Sequence, residues 1–226
     1  MASHSELNER QVRRHQLAFV SPVAWRSLLQ TRDDLATDPL VANWVDKGWP
    51  LIGRRAMAGE PHGVALGLPL PPFAGRRRLS LVMQSDDILS TTQPPALSTA
   101  RRIAPLAWWP TIDALNEVAT QHALEARMFG SLAWRVLTGL DYLTDRSDLD
   151  LLLYVRGDTD LHRLVAEIAR VEAAASMRVD GELVRDDGAA VNWREYAGGA
   201  REILVKTVWG VALLDRDEFR LEKLPA

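Results

Sequence analysis

The stretch FGSLAWRVLTGLDYLTDRSDLDLLLYV, Phe129 to Val155, decides the architecture. It opens on a short strand, Arg127-Met128-Phe129, and turns at Gly130-Ser131 into the helical run LAWRVLTGL. The polar turn DYLTDRS follows, and then DLDLLLYV, Asp148 to Val155, whose near-continuous apolar run marks a buried strand. Residues two apart on a strand share a face, with Cα atoms about 6.5–7 Å apart. Asp148 and Asp150 therefore stand together on one face at the mouth of an otherwise apolar strand.

Outward from this stretch the pattern stays mixed. Upstream, Asp113 is placed to cap a helix over ALNEVATQHALEA, ending near Ala126. Downstream, Asp160 to Ala175 reads as a helix with Leu161, Leu164, Val165, Ile168 and Val171 on one face. The strand-like MRVDGELV, a turn at Asp186-Asp187-Gly188, and the strand-like EILVKTVWG come next. The first half holds Ser21-Pro22 as a helix start, and WPLIGRR and RRLSLVM as strands. Strands and helices interleaved in this way specify an α+β protein.

Two compositional trends change near the same place. Eleven of the twelve prolines lie at or before Pro110. Residues 1–115 carry 13 basic and 10 acidic side chains, whereas residues 116–226 carry 14 and 20. This shift predicts a boundary near residues 110–116, with a polar tail over 1–12, a smaller N-terminal α+β domain over 13–112 and a second domain over 113–226.

Composition removes several classes of function. At 226 residues the chain buries a substantial core, and its net charge of −3 argues against an overall electrostatic grip on nucleic acid or an anionic membrane. There is no cysteine, so disulfides, thiol nucleophiles and cysteine-bound zinc are excluded. No apolar run approaches the roughly 20 residues of a membrane-spanning helix. The start, MASHSELNERQVRRHQ, lacks the apolar core of a signal peptide, so a cytoplasmic protein is expected. None of the histidines has metal-ligand spacing.

Chemistry concentrates where the deciding stretch begins. Gly130-Ser131 at a helix start offers free N–H groups, a hydroxyl and a backbone that a phosphate can approach. Asp148 and Asp150 are hard oxygen ligands suited to a divalent cation. Asp180 and Glu182 share a strand face, and either supplies a third carboxylate, with Asp180 preferred. An anion cradle beside metal-binding carboxylates is the equipment for phosphoryl or nucleotidyl transfer. The competing reading of each acid is a solvent-facing position at a strand entrance or turn edge.

Gly-Ser at a helix start, Asp-x-Asp on a strand and a third acid on a neighbouring strand resemble the nucleotidyltransferase superfamily. The 16 residues between Ser131 and Asp148 are a few more than many members show. The full string Phe129 to Val155, with RRHQLAFV, WPLIGRR, GLPLPPFAGRRRLSL, RVDGELV, VNWRE and ILVKT, resembles the phosphoribosyl-dephospho-CoA transferases of bacterial malonate decarboxylase over about residues 13–215. The resemblance implies transfer of phosphoribosyl-dephospho-CoA from triphosphoribosyl-dephospho-CoA to a serine of the acyl-carrier subunit, with pyrophosphate leaving. It implies Mg²⁺ or Mn²⁺ on Asp148, Asp150 and Asp180, with Asp180 either a ligand or the base toward the serine. Gly130 and Ser131 would then hold the β and γ phosphates, Lys206 would meet the triphosphate, and Arg146 and Ser147 would assist. Among the arginine clusters, Arg54-Arg55 is preferred over Arg76-Arg77-Arg78 and Arg101-Arg102 as a cationic contact for the polyanionic substrate or an acidic carrier; a solvated face is the alternative for each. The short motifs alone leave open an enzyme using an ordinary nucleoside triphosphate, and a catalytically silent module that binds the carrier.

Overall fold

The computed structural model describes residues 12–207 and 210–220. Residues 1–11 of the expected tail, and Val208 and Trp209 of the last expected strand, lie outside the described residues. The chain divides into two compact units, Met1–Gln93 and Pro94–Ala226.

The first unit is built on an antiparallel five-stranded sheet in the order β4-β3-β2-β1-β5. Its strands are β1 (Leu17–Val20), β2 (Leu51–Gly53), β3 (Val64–Pro69), β4 (Arg78–Met83) and β5 (Ile88–Thr92). Three short helices, α1 (Pro22–Leu29), α2 (Asp33–Ala36) and α3 (Pro39–Ala42), lie between β1 and β2 in sequence. Ser21 caps α1 by accepting from Ala24 N, as the Ser-Pro start predicts. Trp25 and Trp44 are fully buried, and each indole donates to a backbone carbonyl, of Ala42 and of Pro50. Two large side chains are thereby buried without an orphaned N–H.

The second unit holds α4 (Trp109–Gln121), β6 (Glu125–Phe129), α5 (Gly130–Thr138), β7 (Leu149–Tyr154), α6 (Leu161–Ala173), β8 (Val179–Val184), β9 (Ala190–Asn192), α7 (Trp193–Ala197), β10 (Glu202–Lys206) and β11 (Val211–Asp215). Its six strands run in the order β11-β10-β9-β8-β7-β6, and only β7 and β8 pair in parallel. A parallel pair needs a long crossover, and α6 supplies it. Asp160 caps α6 by accepting from Arg163 N, as its position predicts. Leu149, Leu151 and Leu153 of β7 share one core with Leu164, Val165 and Ile168 of α6 and with Ile112 and Leu115 of α4. The α+β class read from the sequence is therefore observed, with a mixed C-terminal sheet.

Two details differ from the sequence reading. The shift in proline and charge near residues 110–116 lies inside the second unit, because Leu97, Ala100, Ala104 and Trp108 are buried in the same core as β7. Composition reports what a segment is made of, and packing decides where it belongs. The helix expected from Asp113 to Ala126 begins instead at Trp109, with Pro110 in its first turn. Asp113 pairs with Arg101 rather than capping, at 2.9 Å. Ala123 takes φ 50° just beyond the helix, which frees Glu125 and Ala126 to pair with Tyr154 and Leu153.

Candidate active site

Strand register gathers the acids. Asp150 is the direct partner of Asp180 across the parallel pair β7–β8 and of Phe129 across β6–β7. Partners in register point to the same face, about 4.8 Å apart along the hydrogen-bonding direction. Glu182 follows on that face beside Leu152 and opposite Asn192 of β9. The face thus carries Asp148, Asp150, Asp180, Glu182, Asn192 and Lys206, while the opposite face of β7 is buried in the core.

The strongest local constraint is at Gly130, the first residue of α5. Its φ is +64°, a region that L side chains rarely adopt, and a Cβ there would overlap Asp150 Oδ2 and lie 2.7 Å from its Cγ. The Asp150 carboxylate is therefore packed directly on the backbone that opens α5. No side-chain hydrogen bond from Phe129, the residue preceding the helix, caps that first turn. An anion at this point is favoured by the positive end of the helix.

Asp180 is fixed by two donors on one oxygen. Its Oδ1 accepts from Gly181 N at 3.0 Å and from Asn192 Nδ2 at 2.8 Å. Asp148 lies at the rim, with Oδ2 3.8 Å from Arg178 Nη1. Both side chains are substantially exposed, so this pair contributes little to stability. Among the described residues, no three His, Cys, Asp or Glu side chains are gathered closely enough to hold a metal ion by themselves.

Other expected contacts resolve differently. Lys206 Nζ donates to Glu182 Oε1 at 2.8 Å, and the Glu182 side chain is 5% exposed against 37% for Lys206. Glu182, the alternative third carboxylate, is thus a buried partner of the lysine, whereas Asp180 is half-buried. In the first unit, Arg54 is held by Glu60 through Nη1 at 2.8 Å and donates to the carbonyls of Arg55, Leu66 and Leu81. Its guanidinium, expected to meet substrate, ties together β2, β3 and β4; Arg55 beside it is exposed. Arg77 pairs with Asp38 at 2.9 Å, and Arg101 lies over Trp109 as well as on Asp113.

Sequence reasoning missed the braces at the start of β8. Glu172, at the end of α6, accepts from Val179 N and is clamped by both terminal nitrogens of Arg194. Arg194 Nη2 and Trp193 Nε1 both donate to Val179 O, at 2.7 and 3.1 Å. The hydrogen bonds from Arg194 hold the Glu172 carboxyl below the usual carboxylate range. Asn192 at a helix start was a legible cap signal, but its reach to Asp180 follows only from strand register.

Residues 13–94 match the family described as the phosphoribosyl-dephospho-CoA transferase MdcG N-terminal domain, and residues 96–217 the one described as its C-terminal domain. A phosphoribosyl-dephospho-CoA transferase of Bradyrhizobium diazoefficiens is 53% identical over 219 residues, covering 97% of each chain. One from Xanthomonas campestris pv. campestris is 39% identical over 189 residues, 83% of this chain and 89% of the relative. One from Pseudomonas putida is 32% identical over 184 residues, 79% and 84% of the two chains. No solved structure matches the chain.

Proposed function

The chain belongs to the phosphoribosyl-dephospho-CoA transferase family, and from that premise we propose that it completes the acyl-carrier subunit of malonate decarboxylase in the cytoplasm. The donor is triphosphoribosyl-dephospho-CoA. The carrier serine hydroxyl gives up its proton, to Asp180 or to solvent, as its oxygen attacks the α-phosphorus; a phosphodiester forms, and the bond to the departing pyrophosphate breaks.

The observation that carries this reading is the Asp150 carboxylate packed on Gly130 at the start of α5, directly across from Asp180. The N–H groups of that first turn, with the Ser131 hydroxyl, receive the β and γ phosphates of the donor. A triphosphate held there lies beside Asp150, and two anions in contact need a cation between them. Asp148, Asp150 and Asp180 are hard oxygen donors of the kind that Mg²⁺ and Mn²⁺ take. Mg²⁺ is commonly held by one or two carboxylates plus substrate phosphates, so a ready-made protein cage is not required. Bound there, the ion would neutralise charge on the transferring phosphoryl and on the leaving pyrophosphate. Because Asp180 Oδ1 already accepts two N–H bonds, its Oδ2 faces this task. Arg55 is the exposed member of its pair and remains the first unit's candidate contact for the polyanion.

The donor is tested by pyrophosphate release in the presence of Mg²⁺ and the apo carrier subunit. Triphosphoribosyl-dephospho-CoA should give one pyrophosphate per carrier, and release should stop when the carrier serine is replaced by alanine. Comparable release with ATP or CTP in place of the donor would contradict the assignment and favour an ordinary nucleoside triphosphate.

A further inference from the structure

The geometry points to Asn192 as a positioning residue that selects which oxygen of Asp180 faces the site. This rests on the reading of Asp180 as part of the transfer site. Asn192 is the cap of α7, and its Oδ1 accepts from Arg194 N at 2.9 Å. Its Nδ2 donates to Asp180 Oδ1 at 2.8 Å. These two bonds fix the amide's orientation. Reversed, its oxygen would face a carboxylate and its NH₂ would face a backbone N–H, so both contacts would become repulsive. The cap therefore aims the donor, and the donor, with Gly181 N, occupies Oδ1. Oδ2 is the oxygen left for the bound cation.

The rest of the motif supports the same point of the chain. Trp193 and Arg194 converge on Val179 O, the carbonyl immediately before Asp180, and Arg194 is itself held by Glu172. Arg194 also stacks on Trp193, with Cζ 4.4 Å from the ring centroid. Glu195 accepts from Leu204 N, which ties the motif to β10. Asn192-Trp193-Arg194-Glu195 thus act as one brace whose tip is the amide on Asp180.

Asn192→Ser and Asn192→Thr test the role. Each keeps an oxygen acceptor for Arg194 N, so the cap survives, but neither carries the NH₂ that holds Asp180. We expect kcat for carrier modification to fall about 10–100-fold, the range typical for residues that orient ligating groups. KM for the triphosphate donor should stay within about twofold, and Tm within about 3 °C. Mn²⁺ with inorganic triphosphate, titrated against the full chain and read by electron paramagnetic resonance, should bind more weakly by a similar factor. Unchanged kcat or unchanged Mn²⁺ affinity in the variants overturns the proposal. So does a fall in Tm large enough to account for the lost activity in both, because that makes Asn192 structural only. Asp180→Ala is measured beside them: if it transfers like wild type, the reading of Asp180 fails, whatever Asn192 does.

Discussion

A Gly130→Ala variant should lose carrier modification by at least about a hundredfold and still fold, because misplacing a reacting constellation by about 1 Å costs that much. Two independent effects converge on this methyl group. The backbone at φ +64° disfavours any L side chain, by roughly 1–2 kcal/mol. The added Cβ also overlaps Asp150 Oδ2, so the carboxylate must rotate away from the helix start. The strain is small beside the stability of a domain, whereas the displacement falls on the carboxylate proposed to share a cation with the triphosphate. Rates and thermal unfolding measured on one preparation separate the two. Activity within a few-fold of wild type would mean that the Asp150–Gly130 contact does not set the chemistry. Gly139 is the control: it also has positive φ, 73°, but a Cβ there meets nothing within 4 Å, so Gly139→Ala should show the strain without the loss of rate.

Lys206→Met should destabilise the second unit by about 2–4 kcal/mol, the discounted effect of stripping the partner from a buried charge. Glu182 is almost wholly buried and accepts from the ammonium at 2.8 Å. Removing the lysine leaves a carboxylate that solvent reaches poorly. The discount reflects the half-buried lysine, which is partly hydrated already. In Lys206→Met, Glu182→Gln most of the loss should return, since no charge is then buried. Urea unfolding of the single and double variants measures this directly. If the single variant is as stable as wild type but its KM for the donor rises, Lys206 belongs to the triphosphate, as the ILVKT strand suggested.

These contrasts mark what one chain of letters discloses. The strand over Leu149–Tyr154, the helix opened by Gly130 and the cap at Asp160 were legible because each is written locally, in apolar periodicity, turn chemistry and capping residues. Asp148 and Asp150 on one face followed from the two-residue period of a strand. What was not legible depends on partners distant in sequence. The pairing of Asp150 with Asp180 needs the parallel register created by α6, with 29 residues of chain between them. Lys206 on β10 and Glu182 on β8 meet across β9, so neither residue's neighbours announce the pair. The division at Gln93 is invisible for the same reason: proline and charge change later, but Leu97 and Ala100 already pack against the second core. Arg54 ends a strand, and strand ends serve packing as often as chemistry; here Glu60 holds it.

The carboxylates at the start of β7, beside the start of α5, are proposed to drive attachment of phosphoribosyl-dephospho-CoA to the carrier serine. The most direct test is the intact mass of the apo carrier subunit after incubation with Mg²⁺, triphosphoribosyl-dephospho-CoA and either wild type or a folded Asp148→Ala, Asp150→Ala variant. The carrier should gain the mass of phosphoribosyl-dephospho-CoA with wild type and remain unmodified with the variant. A gain that survives loss of both carboxylates would place the chemistry elsewhere on the protein.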